Sequence, residues 1–278
     1  MKLATMKISI VIPVYNEAAH LTACLKAIAD QSLAAYEVIV VDNNSTDNSR
    51  LVAERFSFVR VMSEPKQGRV HARNRGFDAA RGDVIARIDG DTLLPSDWLQ
   101  QIATFYIHPN HLGQAFTGGA SFYNVRLPRA VSWLYNFLAF DFNRLLIGHA
   151  TLWGSNMAIT QAQWQVVRDK TCDLSGMHED LDLAMHLHGG GYGIHYERSL
   201  KVGAHLRRVR SNRHELWDYL QWWPRTLRLH AKRSWVICWF FGSLMLYLLA
   251  PLLNFGEYLA RQFGRAPIPE LRTGRLRY

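Results

Sequence analysis

Asp83-Val84-Ile85-Ala86-Arg87-Ile88-Asp89-Gly90-Asp91 is a short, apolar, β-branched run that ends in two carboxylates one residue apart. The run predicts a strand. A strand that ends this way projects both acids from the carboxyl edge of a sheet, where open α/β folds bind their ligands. Two such carboxylates repel each other unless a positive group sits between them. A hard divalent cation that also grips a substrate diphosphate fills that role. Asp-x-Asp is common in surface turns, so its meaning rests on the segments around it.

Upstream, residues 8–12 and 37–41 are short and apolar, as expected of strands covered on both faces. Between them Leu21, Cys24, Leu25 and Ile28 recur at helical spacing, with Asn16 expected as the N-cap. A helix is predicted from Ser45 or Thr46 to Phe56, a strand at 59–62 and a helix from Val70 to Ala80. Strand and helix therefore alternate four times. The expectation is an α/β fold with a mostly parallel sheet, flanking helices and right-handed crossovers. Downstream, Ser96 is expected to cap a helix over Asp97–Tyr106, followed by a strand near Gln114–Ser121. Residues 131–147 read as a core-facing or interfacial helix interrupted by Asp141 and Arg144.

The other strand ends carry polar residues as well. Pro13 cannot donate to a ladder and marks the start of a loop, Val14-Tyr15-Asn16-Glu17. Asp42, followed by Asn43-Asn44-Ser45-Thr46-Asp47, is placed either to accept from a nucleobase or ribose or to serve as a turn acid. Lys66-Gln67-Gly68-Arg69-Val70-His71-Ala72-Arg73-Asn74-Arg75-Gly76 opens a helix with several cations, suited to phosphate oxygens or to a solvated face. There is no Gly-x-x-x-x-Gly-Lys-Ser/Thr and no Gly-x-Gly-x-x-Gly, which argues against a P-loop or a dinucleotide-binding fold. His186 and His188 have the spacing of a metal pair on a strand, but the segment reads as a helix, so neither is taken as a ligand.

A chain of 278 residues with 49% hydrophobic content can bury a large core and is not expected to be disordered. Cys24, Cys172 and Cys238 are scattered and odd in number, which argues against a disulfide framework or a zinc site. The opening residues read as a lead into the first strand rather than as a secretory signal. The net charge of +9 is uneven: from Lys201 to Arg233 nine basic residues face only Glu215 and Asp218. Trp235 to Phe255 carries no charge and is long enough to cross a bilayer as a helix, and five tryptophans lie at or before its amino end. Basic residues, tryptophans and an apolar run together predict membrane association, either spanning or re-entrant through Pro251. Four parts are expected: an α/β domain over 1–200, a basic, Trp-rich interfacial segment over 201–233, a hydrophobic membrane helix over 234–256 and a basic tail over 257–278.

Taken in order, Val11 to Glu17, Val40 to Asp47, Ala72 to Gly76, Asp89-Gly90-Asp91, Gly154-Ser155-Asn156-Met157-Ala158 and His178-Glu179-Asp180 resemble the family 2 inverting glycosyltransferases of the GT-A fold, over roughly residues 7–205. No single motif is decisive; the ordered set is specific. The resemblance implies that Pro13, Tyr15, Glu17 and Asp42 surround the base and ribose of a nucleotide-sugar donor. It puts Arg73 near the nucleotide or its phosphates, and Asp89 and Asp91 on a Mg²⁺ or Mn²⁺ ion, with His205 as a further candidate ligand. Asp180 would be the catalytic base, with Glu179 as the substitute. Many relatives carry Asp-Gly where this chain has Asn43-Asn44, which leaves the nucleotide less defined than the fold. The implied protein is a metal-dependent enzyme at the cytoplasmic face of the cell membrane. It moves one sugar, from a UDP-linked donor, to a saccharide or lipid-linked acceptor, with no nucleic-acid partner. Rival readings are a polyprenyl-phosphate sugar synthase, a catalytically silent nucleotide-sugar binder and a basic nucleic-acid binder.

Overall fold

The computed structural model describes residues 6–125, 128–206, 213–230, 235–244 and 247–248. Strands β1 (Ile8–Val14), β2 (Glu37–Asp42), β3 (Val59–Ser63) and β4 (Val84–Arg87) alternate with helices α1 (Ala18–Ala29), α2 (Ser49–Glu54) and α3 (Arg69–Ala79). Helix α4 (Trp98–Ile107) and strand β5 (Gln114–Phe122) follow. The apolar segment expected as one helix over 131–147 folds as α5 (Pro128–Asn136), a π-helical turn (Phe137–Phe142) and α6 (Asn143–Ile147). Beyond it come β6 (Met157–Thr160), α7 (Gln161–Val167), α8 (Glu179–Gly189), β7 (Gly193–Ala204) and α9 (Arg213–His230).

The seven strands among the described residues form one sheet in the order β3-β2-β1-β4-β6-β5-β7. The first four are mutually parallel, while β6 runs antiparallel to both of its neighbours. The topology changes direction at β1, which pairs β2 on one side and β4 on the other. A crevice forms where crossovers leave in opposite directions from adjacent strand ends. The loops after β1, β2 and β4 all open there.

Alternation along β1 explains the two layers. Ile8, Ile10, Ile12 and Val14 pack with α1 and α4 through Leu21, Leu25, Trp98 and Ile102. Val11 faces the opposite layer, with Ile85, Phe77 of α3, Trp164 of α7 and Leu183 and Leu187 of α8. Each such side chain contributes about 1.5–3 kcal/mol when fully buried. Asn156 ties the antiparallel half together: its Oδ1 accepts from Trp98 Nε1 at 2.8 Å, and its Nδ2 donates to the Gly119 and Leu200 carbonyls.

Several local expectations are corrected. Asn16 does not cap α1. It takes a left-handed backbone (φ 55°), and its Oδ1 accepts from the Thr46 and Asp47 amides. Those two amides are thereby used outside a helix, so α2 starts only at Ser49. Helix α4 starts at Trp98, with Asp97 in the capping position and Ser96 using its carbonyl to accept from Ser32 N. Strand β7 runs across position 200, so the sheet continues through the expected boundary to Ala204.

The basic, Trp-rich segment folds in part as α9, which packs on the sheet domain. Leu227 joins a cluster with Leu181 and Ile147, completed by Val236 and Trp239 of the helical stretch 235–244. Trp239 Nε1 donates to Asn143 Oδ1 at 2.8 Å, and its ring stacks on Trp223. No helix among the described residues is long and apolar enough to cross a membrane. Residues 249–256 of the expected membrane helix, and the whole 257–278 tail, lie outside the described residues.

Candidate active site

The crevice is built from strand ends. After β1, Tyr15 is 50% exposed and Glu17 is buried, and the Glu17 amide donates to Ser49 Oγ at 2.7 Å. Asn16 N donates to Ser45 Oγ and Ala18 N to Asp47 Oδ2, so the loops after β1 and β2 are sewn together at the carboxyl edge. Asp42 ends β2 beside Val14, and its Oδ1 accepts from Ser45 N at 3.3 Å. Pro13 lies half-buried in β1, paired in register with Val41.

Asn43 is buried for a structural reason. Its amide nitrogen donates to the Glu64 and Lys66 carbonyls, and its Oδ1 accepts from Gly68 N at 2.7 Å. An aspartate there would have no hydrogens for the two carbonyls. Asn44 occupies the left-handed region (φ 61°), where glycine is also at ease.

The main chain past β4 carries Asp89, Gly90 and Asp91. A Cβ on Gly90 would come 3.2 Å from Glu17 Cγ, so the glycine lets the two loops close on each other. Asp91 is buried, and its carbonyl accepts from Tyr123 Oη. His205 lies beside Tyr123 and His20, with ring centroids 5.8 and 5.3 Å away, and His20 pairs with Glu17. The mutual exchange between Leu93 and Gly203 holds β7, and with it His205, to the segment after Asp91. Oxygen donors from Asp89 and Asp91 suit a hard cation such as Mg²⁺ or Mn²⁺. Their combined negative field is visible at Cys24: burial first, then the charges of Asp91, Asp89 and Glu17, push its thiol far above the usual range. A cation held at these carboxylates would relieve that field.

The centre of the site is Arg87, which motif reading passed over. It is 2% exposed, and its guanidinium donates to Asp180 Oδ1, to Asp89 Oδ1 at 3.1 Å and to Glu179 Oε1 at 3.3 Å. One fork thus joins the Asp-Gly-Asp turn to the start of α8. Its signal in the sequence was a charge inside a strand otherwise fit for burial, which demands a partner. Gly154 is required next to it, because a Cβ there would lie 2.4 Å from Arg87 Nη1. The Gly154 amide donates to Asp180 Oδ2 at 2.8 Å, and Ser155 Oγ donates to Asp89 Oδ2.

The two acids at the start of α8 differ. Glu179 is 5% exposed; burial opposes its ionisation, but Arg69 and Arg87 outweigh that and hold it down to about 2. Asp180 keeps 17% exposure. Burial, with the Glu179 and Asp89 charges, pushes it up to about 6 against Arg87 and the Gly154 amide. Of the pair, Asp180 is the better proton acceptor near neutrality.

Arg73 is not placed at the crevice. It is fully buried, its Nη1 donating to the Glu179 carbonyl at 2.8 Å and its Nε and Nη2 to Asn74 Oδ1. It braces α8 from behind, with burial and the nearby Arg87 charge making its ionisation harder. The cations that reach the front belong to neighbouring residues. Arg69 lies 3.8 Å from Glu179 Oε1 and over the Trp222 ring at 4.4 Å, and Lys66 pairs with Asp173. Trp222 and Trp223 pack on His178, whose amide donates to Thr226 Oγ1, so α9 stands directly over the start of α8.

Known proteins share both pattern and fold. Glycosyltransferase AglE of Haloferax volcanii is 37% identical over 101 residues, 34% of this chain and 33% of that protein. The amylovoran biosynthesis glycosyltransferase AmsB of Erwinia amylovora is 38% identical over 100 residues, with the same coverage. The match therefore spans about a third of either relative. Among solved structures, a mannosyltransferase from Pyrobaculum calidifontis, in complex with GDP-Man and Mn²⁺, superposes with a TM-score of 0.61 at 19% identity. That superposition covers 95% of this chain and 78% of the other. Residues 1–349 of S. aureus TarS, with UDP-GlcNAc, give 0.56 at 16% identity, covering 88% and 81%. These likenesses establish the GT-A-like mixed sheet. The family model for glycosyl transferase family 2 matches residues 9–162, over half of the 278 residues, and the chain belongs to that family.

Proposed function

We propose that this transferase moves a single sugar, with inversion, from a nucleotide-diphosphate donor to a saccharide or lipid-linked acceptor at the cytoplasmic face of a membrane. The observation that carries the reading is the Arg87 fork, which holds the Asp89 turn and Asp180 in one site. The donor's nucleotide lies in the crevice between the loops after β1 and β2, against Tyr15, Glu17 and Asp42. Asp89 and Asp91 would hold Mg²⁺ or Mn²⁺, which neutralises charge on the departing diphosphate when bound. Asp180 takes the proton from the acceptor hydroxyl as its oxygen bonds to the anomeric carbon. The bond from that carbon to the diphosphate oxygen breaks, and the electron pair leaves with the nucleoside diphosphate. Attack from the face opposite the leaving group inverts the configuration. Uridine is our first choice of nucleotide, and neighbours bound to UDP-GlcNAc and GDP-Man keep both bases in view.

A donor screen tests this directly. Release of nucleoside diphosphate from UDP-, GDP- and dTDP-sugars, with Mg²⁺ or Mn²⁺ and membrane lipid extract, is expected from one donor. Asp91→Ala should lower that release by about 100-fold or more, since metal stabilisation is worth several kcal/mol. Nucleotide binding without turnover on any donor would leave only a silent binder.

Membrane attachment rests on the surface next to α9. In 235–244, Val236 and Trp239 turn inward, while Ile237 and Phe241 are 53% and 62% exposed. An apolar face flanked by a basic run suits an anionic bilayer surface. Co-sedimentation with vesicles containing anionic lipid is expected for the whole chain and should fall severalfold in an Ile237→Glu, Phe241→Glu double variant. Equal binding by both would remove this face from the interaction.

A further inference from the structure

We propose that Cys172, Asp182, His186 and His230 form a second metal site, for Zn²⁺, separate from the crevice and independent of the catalytic reading. One ligating atom from each of the four lies within 4.8 Å of every other. Cys172 Sγ is 3.9 Å from both His186 Nε2 and His230 Nε2. Asp182 Oδ1 lies 2.7 Å from His230 Nε2 and 3.5 Å from His186 Nε2. The two imidazole rings stand edge to face, with centroids 4.7 Å apart.

The spacing suits a small tetrahedral ion. Zn–S near 2.3 Å and Zn–N near 2.0–2.1 Å imply S···N edges of about 3.6 Å and N···O edges of about 3.4 Å. The thiol distances need to close by a few tenths of an ångström, and the Asp182–His230 contact needs to open by about 0.7 Å. One thiolate, one carboxylate and two neutral imidazoles cancel the charge of a divalent ion. A set of sulfur and imidazole donors selects zinc over the magnesium or manganese suited to an all-oxygen site. Asp182 Oδ2 also accepts from the Cys172 amide at 2.9 Å, which fixes the carboxylate and the cysteine relative to each other. Such outer hydrogen bonds orient ligands in metal sites.

Position gives the site its consequence. Asp182 and His186 are one turn apart on α8, His230 ends α9, and Cys172 lies in the segment between α7 and α8. Two residues along a helix turn it by roughly 200°, so Asp182 faces away from Asp180. A zinc ion there pins α9 and the 172 segment to the helix that presents Asp180, without entering the crevice.

The test uses the full chain purified without chelator, equilibrated with Zn²⁺ and desalted. Metal analysis is expected to find about one zinc per chain, retained in Asp91→Ala and reduced at least about tenfold in Cys172→Ser and in His230→Ala. Cobalt substitution of the wild-type protein should give a thiolate-to-metal charge-transfer band and tetrahedral ligand-field bands. That reading does not depend on a variant folding. The thermal midpoint should drop with chelator and be restored by Zn²⁺ but not by Mg²⁺. No zinc retained by the wild type, or cobalt spectra without the thiolate band, overturns the proposal. Full zinc retention in folded Cys172→Ser does the same, leaving an Asp182–His230 hydrogen bond with two bystanders.

Discussion

Asp180→Asn is expected to lower turnover by about 10²–10⁴-fold, the usual contribution of a positioned general base. An amide keeps the size of the carboxylate and can still accept from the Gly154 amide through its oxygen, but it cannot take a proton. Donor affinity, read as nucleotide-sugar binding, should stay within a fewfold, because the crevice residues on β1 and β2 are untouched. The wild-type rate should show an acid limb near pH 6, where Asp180 is pushed by burial and by its acidic neighbours. The base works ionised, so activity is full above that value and falls about tenfold per pH unit below it. Binding of the donor's cation adds positive charge nearby and should move the limb down when the donor saturates. Asp180→Asn should lose the limb along with the rate. If turnover survives in Asp180→Asn but not in Asp91→Ala, the acceptor is already ionised, as a polyprenyl phosphate is, and no base is needed.

Arg87→Ala is expected to cost about 3–5 kcal/mol of stability, because it leaves Asp180 without its counter-charge and Glu179 with Arg69 but not Arg87 beside it. Domains are stable by only about 5–15 kcal/mol, so this is a large fraction of the whole. For a chain of this size it should appear as a drop of about 6–20 °C in the thermal midpoint. Arg87→Lys keeps the charge but not the three-way fork, and should recover part of the stability and little of the activity. The sign with pH is diagnostic. Without the guanidinium, burial and its acidic neighbours hold Asp180 still further above its unfolded value, while Arg69 goes on facing Glu179, so the folded state of the variant binds more protons than that of the wild type. The deficit of Arg87→Ala should therefore be largest near neutrality and shrink as pH falls toward 5. A deficit that does not vary with pH would mean that lost packing, and not stranded charge, is the cause.

Much of the architecture was readable from local pattern. The runs at 8–12, 38–41 and 84–88 bury on both faces, and a run of that kind has few alternatives to a central strand. Polar residues directly after such runs must emerge at one edge, which is why Asp42, Asp89 and Asp91 read as site candidates before any fold was known. The family pattern added Asp180, 89 residues beyond Asp91, which no periodicity could have connected to it. Asn16 shows where local reading fails: its type suits a helix cap, but the neighbouring loop offers two amides, and the long-range bonds win.

Sequence by itself determined the strand-and-helix alternation, the acidic strand ends and the membership that their order implies. These depend on contacts within an element or on a spacing preserved along the chain. Only the tertiary structure decided that Arg87, and not Arg73, joins the acids of the crevice. It alone showed that α9 stands over α8, and that Cys172 and His230 meet Asp182 and His186. Arg87 lies 93 residues from Asp180 and His230 lies 48 from Asp182, on elements whose packing angles no single-strand or single-helix pattern encodes. Their convergence follows from how the crossovers close over the sheet, and that closure is set by the sum of the core contacts.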